Sequence, residues 1–590
     1  QDVTPIPVME GKYRTDRTEP VIFSPLDQHR IYYAANVLFK TTDGGHSWQT
    51  ISPDLTRKQP GIPASLGALA NKDPYARKAR GAIYAIAPSF QSVNTIWVGT
   101  DDGLVWLTRD GGKDWNNVTP PEVTPWSKVT QLVASHFDDE TAYASVSRFR
   151  VDDLHPYIYR THDGGKTWRP IITGLPENSP VNTVREDPVR KGLLFAGTET
   201  AVWVSFDDGG HWQSLQQNLP HTSMRDLWIH DNDLMVGTHG RSIWILDDIT
   251  PLRQIAASVE HSSAALFKPE PAIRVRRDTN TDTPLPPDEP AGENPPDGAI
   301  IDYYLSQPAH GAVTLEVLDA NGRLVRRYSS TDKPGLTEAQ LKKVFVPLFW
   351  LRKFRALPTA AGMHRWAWDL RYAPPKSEHF SYPISAIPHE TPRTPLGPLG
   401  LPGEYTVRLT VDGKSFSAPL TVRMDPRVKT PRPGLEQAFN MEMRLVSMMD
   451  GSYRAIAEAR ALNNDLSRLS KQEQGPLASQ VARLKKEVVE VLAAPGPSDE
   501  SGNAPPALES VTTQAASLYE LVGGVDATPT AAQEAALEGI EGRFAVVMKR
   551  WNEVKATELP ALNGRLRQSD HPELRLRPQP LPQTETRDEE

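Results

Sequence analysis

At 590 residues the chain is several times the size of an ordinary domain, so two to four domains are expected. Its net charge of −8, without a lysine-rich tract, leaves no broad basic surface for nucleic acid, and no apolar run approaches the ~18 residues of a membrane-spanning helix. It has no cysteine, which removes disulfides, thiol catalysis and thiolate metal sites.

The chain starts at Gln1 with neither an initiator methionine nor an apolar leader. A natural terminus at this point would require processing, either removal of a signal peptide or cutting of a longer precursor. The next segments carry a repeat, Ser/Thr-x-Asp-x-Gly-x-x-Trp. Its copies hold Asp43, Gly45 and Trp48; Asp110, Gly112 and Trp115; Asp163, Gly165 and Trp168; and Asp207, Gly209 and Trp212. Each follows an alternating apolar segment, such as 158–160 or 202–204, and so reads as a hairpin turn. The aspartate accepts from nearby backbone N–H groups, the glycine takes a positive φ, and the tryptophan covers the turn from the next strand.

A second recurrence ends in Gly-Thr at 96–100, 194–198 and 234–238, and leads into strands containing Trp106, Trp203 and Trp244. Together the two patterns predict sheet units at about 20–55, 80–120, 129–175, 180–220 and 222–250, and repeats of this length specify a propeller or a solenoid. The expectation for 1–255 is therefore β-propeller blades turned by Asp-box motifs.

The turn resembles the Asp box, or BNR repeat, of sialidases, sortilin-type receptors and two-propeller xyloglucanases. Segments 157–168, 181–187 and 237–248 are similar to large bacterial exported proteins of the glycosyl hydrolase-like or sortilin/VPS10-like group, and the chain resembles their C-terminal portion. That resemblance implies a protein that is secreted, periplasmic or on the outer cell surface, with further blades toward the N-terminus. The five units are then a complete small propeller, or a set completed by an N-terminal propeller fragment or another protein chain. An incomplete set would otherwise expose an apolar blade edge. Segment 56–79 is the other place for additional structure.

Residues 256–298 read as a proline-rich crossing segment. Strand patterns resume across 299–425, with hairpin turns at Asn321-Gly322 and Asp412-Gly413 and an alternating run containing Trp366 and Trp368. About seven short strands of this kind predict an immunoglobulin-like β-sandwich. From Pro433 the period becomes 3.6, and helices are expected over about 435–467, 474–492, 507–522 and 529–555, in a bundle spanning 434–577. Thr528 and Pro529 provide the start signal for the last of these. The polar segment 578–590 reads as a flexible tail.

The candidate ligand-contacting residues all fall in the repeat region. His239 and Arg241, with Asp247 and Asp248, belong to a strand-linking loop suited to a carboxylate or sugar hydroxyls, or alternatively to closing the last blade. Arg185, Glu186 and Asp187 follow one inner-strand pattern, and Arg148, Asp152 and Asp153 follow another strand pattern. Strand ends of this kind line an axial cavity, or else pair between blades. A glycosidase needs two carboxyl groups about 5–10 Å apart, which sequence spacing does not locate. The catalytic residues are therefore unassigned, and the four motif aspartates are explained by their turns. Arg148, Arg185 and Arg241 imitate the arginine cluster of a sialidase, but no such motif precedes the first Asp box.

His221, His230 and His239 lack paired ligand spacing, so no metal set is assigned. Asp101-Asp102 and Asp138-Asp139-Glu140 suit structural calcium or, more simply, solvated turns, and no other cofactor is expected. Two functions remain. The first is a secreted or envelope-associated binding or assembly protein that takes a peptide, glycan or partner chain. The alternative is a glycoside hydrolase whose active site needs additional N-terminal blades.

Overall fold

The computed structural model describes residues 3–585, apart from 8, 64, 66, 68–77, 257–258, 260, 277–285, 287, 290–291, 383–388, 473, 494–504, 577–580 and 582. Much of segment 56–79 thus lies outside the described residues. The chain divides into two compact units, Gln1–Ile255 and Ala256–Glu590. It is mainly β, with a helical bundle in its C-terminal part.

Among the described residues, the first unit holds five antiparallel sheets whose strands pair in chain order. The first comprises β1–β4 (Val21–Ser24, Asp27–Ala34, Leu38–Thr41, Gln49–Thr50) and the second β5–β8 (Ile83–Pro88, Ile96–Thr100, Val105–Thr108, Asn116–Asn117). The third comprises β9–β12 (Lys128–Ala134, Ala142–Arg148, Asp153–Thr161, Arg169–Pro170) and the fourth β13–β16 (Val181–Glu186, Leu194–Thr198, Val202–Ser205, Gln213–Ser214). The fifth has only β17–β19 (Met224–His230, Asp233–Thr238, Ile243–Leu246), followed by the short helix α1 (Thr250–Gln254).

The Gly-Thr recurrence has a packing cause. A Cβ on Gly99 of β6 would lie 2.5 Å from Val129 Cγ1 of β9, and one on Gly197 of β14 would lie 3.1 Å from Met224 Cβ of β17. Glycine at these positions lets the first strand of the next sheet settle against the second strand of its predecessor.

The aspartate turns are built alike. Thr161 Oγ1 donates to Asp163 Oδ1 at 2.9 Å and accepts from Gly165 N at 3.0 Å, while Thr167 N donates to Asp163 Oδ1 at 2.9 Å. Thr41–Asp43, Thr108–Asp110 and Ser205–Asp207 repeat the hydroxyl-to-carboxylate bond at 2.7, 2.9 and 2.8 Å. The side-chain and backbone bonds from Thr167 hold the Asp163 carboxyl down to about 2.

Each turn also clasps a residue outside its own sheet. The indoles of Trp115, Trp168 and Trp212 donate to the carbonyls of Ile51, Val118 and Ile171 at 2.9, 2.7 and 2.8 Å. Those acceptors follow directly on β4, β8 and β12, the outer strands of the preceding sheets. In the first turn Trp48 donates to Val3 O at 2.7 Å. Cβ atoms placed on Gly45, Gly112, Gly165 and Gly209 would strike the same four residues, Val3, Ile51, Val118 and Ile171, at 2.3–2.8 Å.

The second unit packs two sheets over one core. One sheet runs β20–β22–β25 (Ala264–Leu266, Ala299–Leu305, Gly362–Trp368). The other runs β21–β28–β27–β23–β24 (Ala272–Arg274, Lys414–Met424, Gly403–Val411, Thr314–Leu318, Leu324–Ser329). Ile301, Tyr303 and Trp368 from the first meet Val317, Val407, Leu409 and Leu420 from the second. β20 and β21 fall within the segment expected to be a mere crossing. Their three-residue runs are too short to register as strands beside proline and acidic residues, yet β20 pairs with β22 and β21 runs parallel to β28.

After the short helix α2 (Glu338–Leu341), the bundle comprises α3 (Arg432–Leu469), α4 (Pro476–Leu492), α5 (Leu508–Gly523), α6 (Ala531–Glu553) and α7 (Leu559–Gln568). Leu445, Leu466, Val481, Val488, Val511, Val547, Trp551 and Leu566 meet in its core. The cap of α6 is Thr530 rather than Thr528, because Thr530 and Gln533 bond each other's backbone in a capping box. Arg274 and Arg276 converge on Asp526 at 2.7 and 2.6 Å. Burial pushes the nearby Glu442 carboxyl of α3 up to about 7, against the opposing fields of Arg276, Arg371 and Arg274. In the expected tail, described residues Thr584–Glu585 (β29) pair with His379–Phe380 (β26), while 577–580, 582 and 586–590 lie outside the described residues.

Candidate functional site

The sheets of the first unit turn their first strands toward one cavity of about 720 Å³. β1, β5, β9, β13 and β17 all contribute to its lining, mostly through their C-terminal halves. Phe23, Leu132 and Trp228 give it apolar walls, and His136 stacks on Phe90 with ring centroids 3.8 Å apart. A concave, largely apolar space with few polar groups is the usual form of a ligand site.

The opposite, N-terminal ends of these strands carry charge. Lys128, the first residue of β9, places its ammonium 3.2 Å from the ring centroid of Tyr84 on β5. Burial lowers the Lys128 ammonium to about 8, opposed by Asp16 and Asp101 and reinforced by Arg150 and Arg225. Arg150 lies 3.3 Å from Asp101 and 4.0 Å from Asp16, so one guanidinium gathers two carboxylates. Arg225 pairs with Glu199 at 3.5 Å, and Asn182 donates to Glu199 Oε1 at 3.1 Å. A cation–π pair beside two held carboxylates suits a polyhydroxylated ligand, with a ring to stack on and donors and acceptors close by.

The residues singled out from the sequence do not gather in one place. Arg185 and Glu186 line the cavity shared by the first strands, where Arg185 donates to Leu227 O at 2.6 Å and lies 5.4 Å over the Trp228 ring. Glu186 is buried and accepts from His136 N at 2.9 Å. Asp187 is fully buried, ion-paired with Arg253 at 2.9 Å, and accepts from Val189 N and Arg190 N. Arg148 pairs with Asp153 at 3.2 Å across the β10–β11 hairpin, and Asp152 holds a left-handed turn at φ 63°.

His239 and Arg241 lie exposed on the β18–β19 turn, where Arg241 O accepts from Trp244 Nε1 at 2.8 Å. Asp248 is buried after β19, its carboxylate accepting from Thr250 N at 2.9 Å, and Asp247 precedes it at partial exposure.

Sequence reasoning passed over Lys128, Tyr84, Asp16 and Arg150. None sits in a motif. The available signal was position: Tyr84, Lys128, Asn182 and Arg225 are first or second residues of successive inner strands. In the sequence Asp101 stands beside Asp102 as an acidic pair. The two part company, for Asp102 is buried, accepts from Arg57 N at 2.8 Å, and has its carboxyl raised by burial. In the other acidic run, Asp138 accepts from Thr141 N at 2.8 Å and Glu140 pairs with Arg109 at 2.8 Å. Among the described residues, no group of three or more His, Asp or Glu side chains is placed to hold a metal ion, and no helix is long and apolar enough to cross a membrane.

No family model matches the chain. It is 26% identical over 263 residues to a probable oligoxyloglucan-reducing end-specific xyloglucanase of Neosartorya fischeri, covering 39% of this chain and 31% of that protein. A second such xyloglucanase, from Emericella nidulans, is 26% identical over 186 residues, covering 30% of this chain and 20% of that protein. The chain therefore spans less than a third of the length of these curated relatives. Among solved structures, the GH74 xyloglucanase of Xanthomonas campestris aligns at 14% identity and a TM-score of 0.31, over 69% of this chain and 80% of that one. The GH74 enzyme of Niastella koreensis aligns at 12% identity and a TM-score of 0.26, over 40% of this chain and 30% of that one. The chain thus has distant sequence similarity to oligoxyloglucan-reducing end-specific xyloglucanases.

Proposed function

We propose that the chain is part of a carbohydrate-active protein of the glycoside-hydrolase kind, its first unit forming Asp-box propeller blades around a sugar-binding axis. The observation that carries this reading is the sequence similarity to oligoxyloglucan-reducing end-specific xyloglucanases over 263 residues. The inner strands support it by sharing one cavity, with Tyr84, Lys128, Asp16, Asp101 and Arg225 at their N-terminal ends.

Further blades belong to this reading. Phe23 on β1 and Ile243 on β19 are 59% and 74% exposed, apolar faces that another sheet of the same kind would cover. Among the described residues, Gly237, the counterpart of Gly99 and Gly197, has no neighbouring sheet within van der Waals reach of its Cβ position. In the same reading the paired sheets of the second unit are an immunoglobulin-like accessory sandwich, and export to the periplasm or exterior suits a polysaccharide ligand.

A binding role without hydrolysis is the second reading. It is favoured by Arg150, which ion-pairs with both Asp101 and Asp16 and so engages the carboxylates at this end of the strands in a structural contact.

Xyloglucan oligosaccharides titrated into the full chain, with a parallel reducing-sugar assay, test the proposal. Saturable binding that falls about tenfold in Tyr84→Ala or Lys128→Met supports the axial site. Turnover lost in Asp16→Asn or Asp101→Asn, with binding kept, selects the hydrolase, whereas binding without turnover selects the second reading. Absence of saturable binding to any neutral glycan rejects both sugar readings.

A further inference from the structure

We propose that the second unit carries a separate binding site for an acidic saccharide, in a cavity of about 480 Å³ between the edge strands of its two packed sheets. β24 ends one sheet and β25 ends the other. The cavity opens where these edges face each other, and the connection through Arg352, Lys353 and Arg355 forms part of its wall. Its size falls within the roughly 300–1,000 Å³ of small-ligand sites.

Two aromatic rings span the gap. Tyr328 of β24 and Trp366 of β25 meet edge to face, with centroids 5.1 Å apart at 63°, and Arg326 stacks 5.4 Å over the Tyr328 ring. Aromatic rings offer a surface to the C–H face of a pyranose, and arginine forks match a carboxylate.

The site's polar groups are unevenly satisfied. Trp366 Nε1 and Arg326 Nε are buried donors with no acceptor among the described residues. Such groups are destabilising when left unpaired, so an acceptor delivered by a ligand would be favoured there. The charged groups are unevenly paired as well. Arg352 is surrounded by Glu390 at 2.8 Å, Asp297 at 3.5 Å and Asp369 at 4.0 Å, and Arg365 grips Asp302 through two bonds of 3.0 Å. Those pairs account for the acids of the wall except Glu293 at the rim. Arg326, Lys353 and Arg355 are left without a carboxylate partner among the described residues, while the three carboxylates beside Arg352 share that one guanidinium.

A ligand that answers all three features carries hydroxyl or ring oxygens for the orphaned donors, a flat sugar face for the rings, and a carboxylate for the cations. A uronic-acid oligosaccharide has each of them. This site shares no residue with the axial cavity of the first unit, so its fate is independent of the function proposed above.

Tri-galacturonate titrated calorimetrically into the full chain, with cellotriose as the neutral match in length, tests the proposal. Saturable binding of the acidic trimer that weakens in salt is expected, together with a shift of the Trp366 indole ¹⁵N–¹H resonance. Lys353 and Arg355 are exposed, so their double substitution to alanine preserves the fold and should weaken binding at least about tenfold. Trp366→Phe keeps a ring but removes the N–H donor, and should weaken it about three- to fivefold. The proposal is overturned if the acidic trimer does not saturate, if cellotriose binds equally well, or if the indole resonance and both variants are indifferent to it.

Discussion

The indole of Trp115 donates to the carbonyl of Ile51, 64 residues earlier, at 2.9 Å. A Cβ on Gly112, three residues before that indole, would lie 2.3 Å from the same carbonyl oxygen. The aspartate turn is thus both a local hairpin and a grip on the sheet before it.

The hydrogen-bond half of this grip is separable from its packing half. Trp168 is buried and donates to Val118 O. Trp168→Phe should cost about 1 kcal/mol for the lost bond. Trp168→Ala should cost about 3–5 kcal/mol for the bond and the cavity together. Urea unfolding measures both, and an unchanged midpoint in the phenylalanine variant would dismiss the grip.

Two glycines with the same backbone should respond differently. Gly44 and Gly165 have φ of 70° and 80°, but a Cβ on Gly44 meets nothing within 4 Å, whereas one on Gly165 lies 2.6 Å from Val118 Cβ. Gly44→Ala should cost about 1–2 kcal/mol from left-handed strain alone. Gly165→Ala should add about 1–3 kcal/mol of overpacking to that. Equal losses would mean that contact with the preceding sheet is unimportant.

Lys128 should titrate near 8 rather than at the 10.5 of a free lysine. The folded state then binds fewer protons than the unfolded chain between those values, so this residue's contribution to stability improves as pH rises from about 8 toward 10.5. Reductive ¹³C-methylation followed by NMR titration measures it directly. A resonance that does not move until pH 10 would contradict the burial of this ammonium.

Glu442 has the opposite sign. Its folded value of about 7 exceeds the ordinary 4.5, so the folded state binds the extra proton between them, and stability falls as pH rises through that window. At ~1.4 kcal/mol per unit, the ceiling of the effect is about 3 kcal/mol. Glu442→Gln should flatten the loss of melting temperature between pH 5 and 8, measured calorimetrically. A variant whose pH profile parallels the parent's would reject the assignment.

Local chemistry made much of this architecture readable. Asp163, Gly165 and Trp168 announce their turn because carboxylate, positive φ and indole act within a few residues of one another. The helices were legible because a 3.6-residue apolar period persists over many turns. What stayed hidden depends on distant partners or exact register. Arg148 was singled out, but the 3₁₀ turn at Phe149–Val151 turns the chain so that Arg150 reaches Asp101 and Asp16, while Arg148 closes its own hairpin. Asp16 precedes the first strand and carries no pattern at all. Trp366 and Arg326 belong to strands that could be foreseen, but not the facing of their edges.

The Trp-to-carbonyl grips displace the natural seams of the first unit. A cut drawn just before β5, β9 or β13 leaves the acceptor residue on one fragment and its indole on the other. Ile51, Val118 and Ile171 each belong to one sheet by chain position and to the next by attachment. Fragment design, circular permutation or sheet exchange should therefore carry each sheet together with the few residues that trail its predecessor. In this protein the transferable block is staggered relative to the strands, like a brick course whose joints never align.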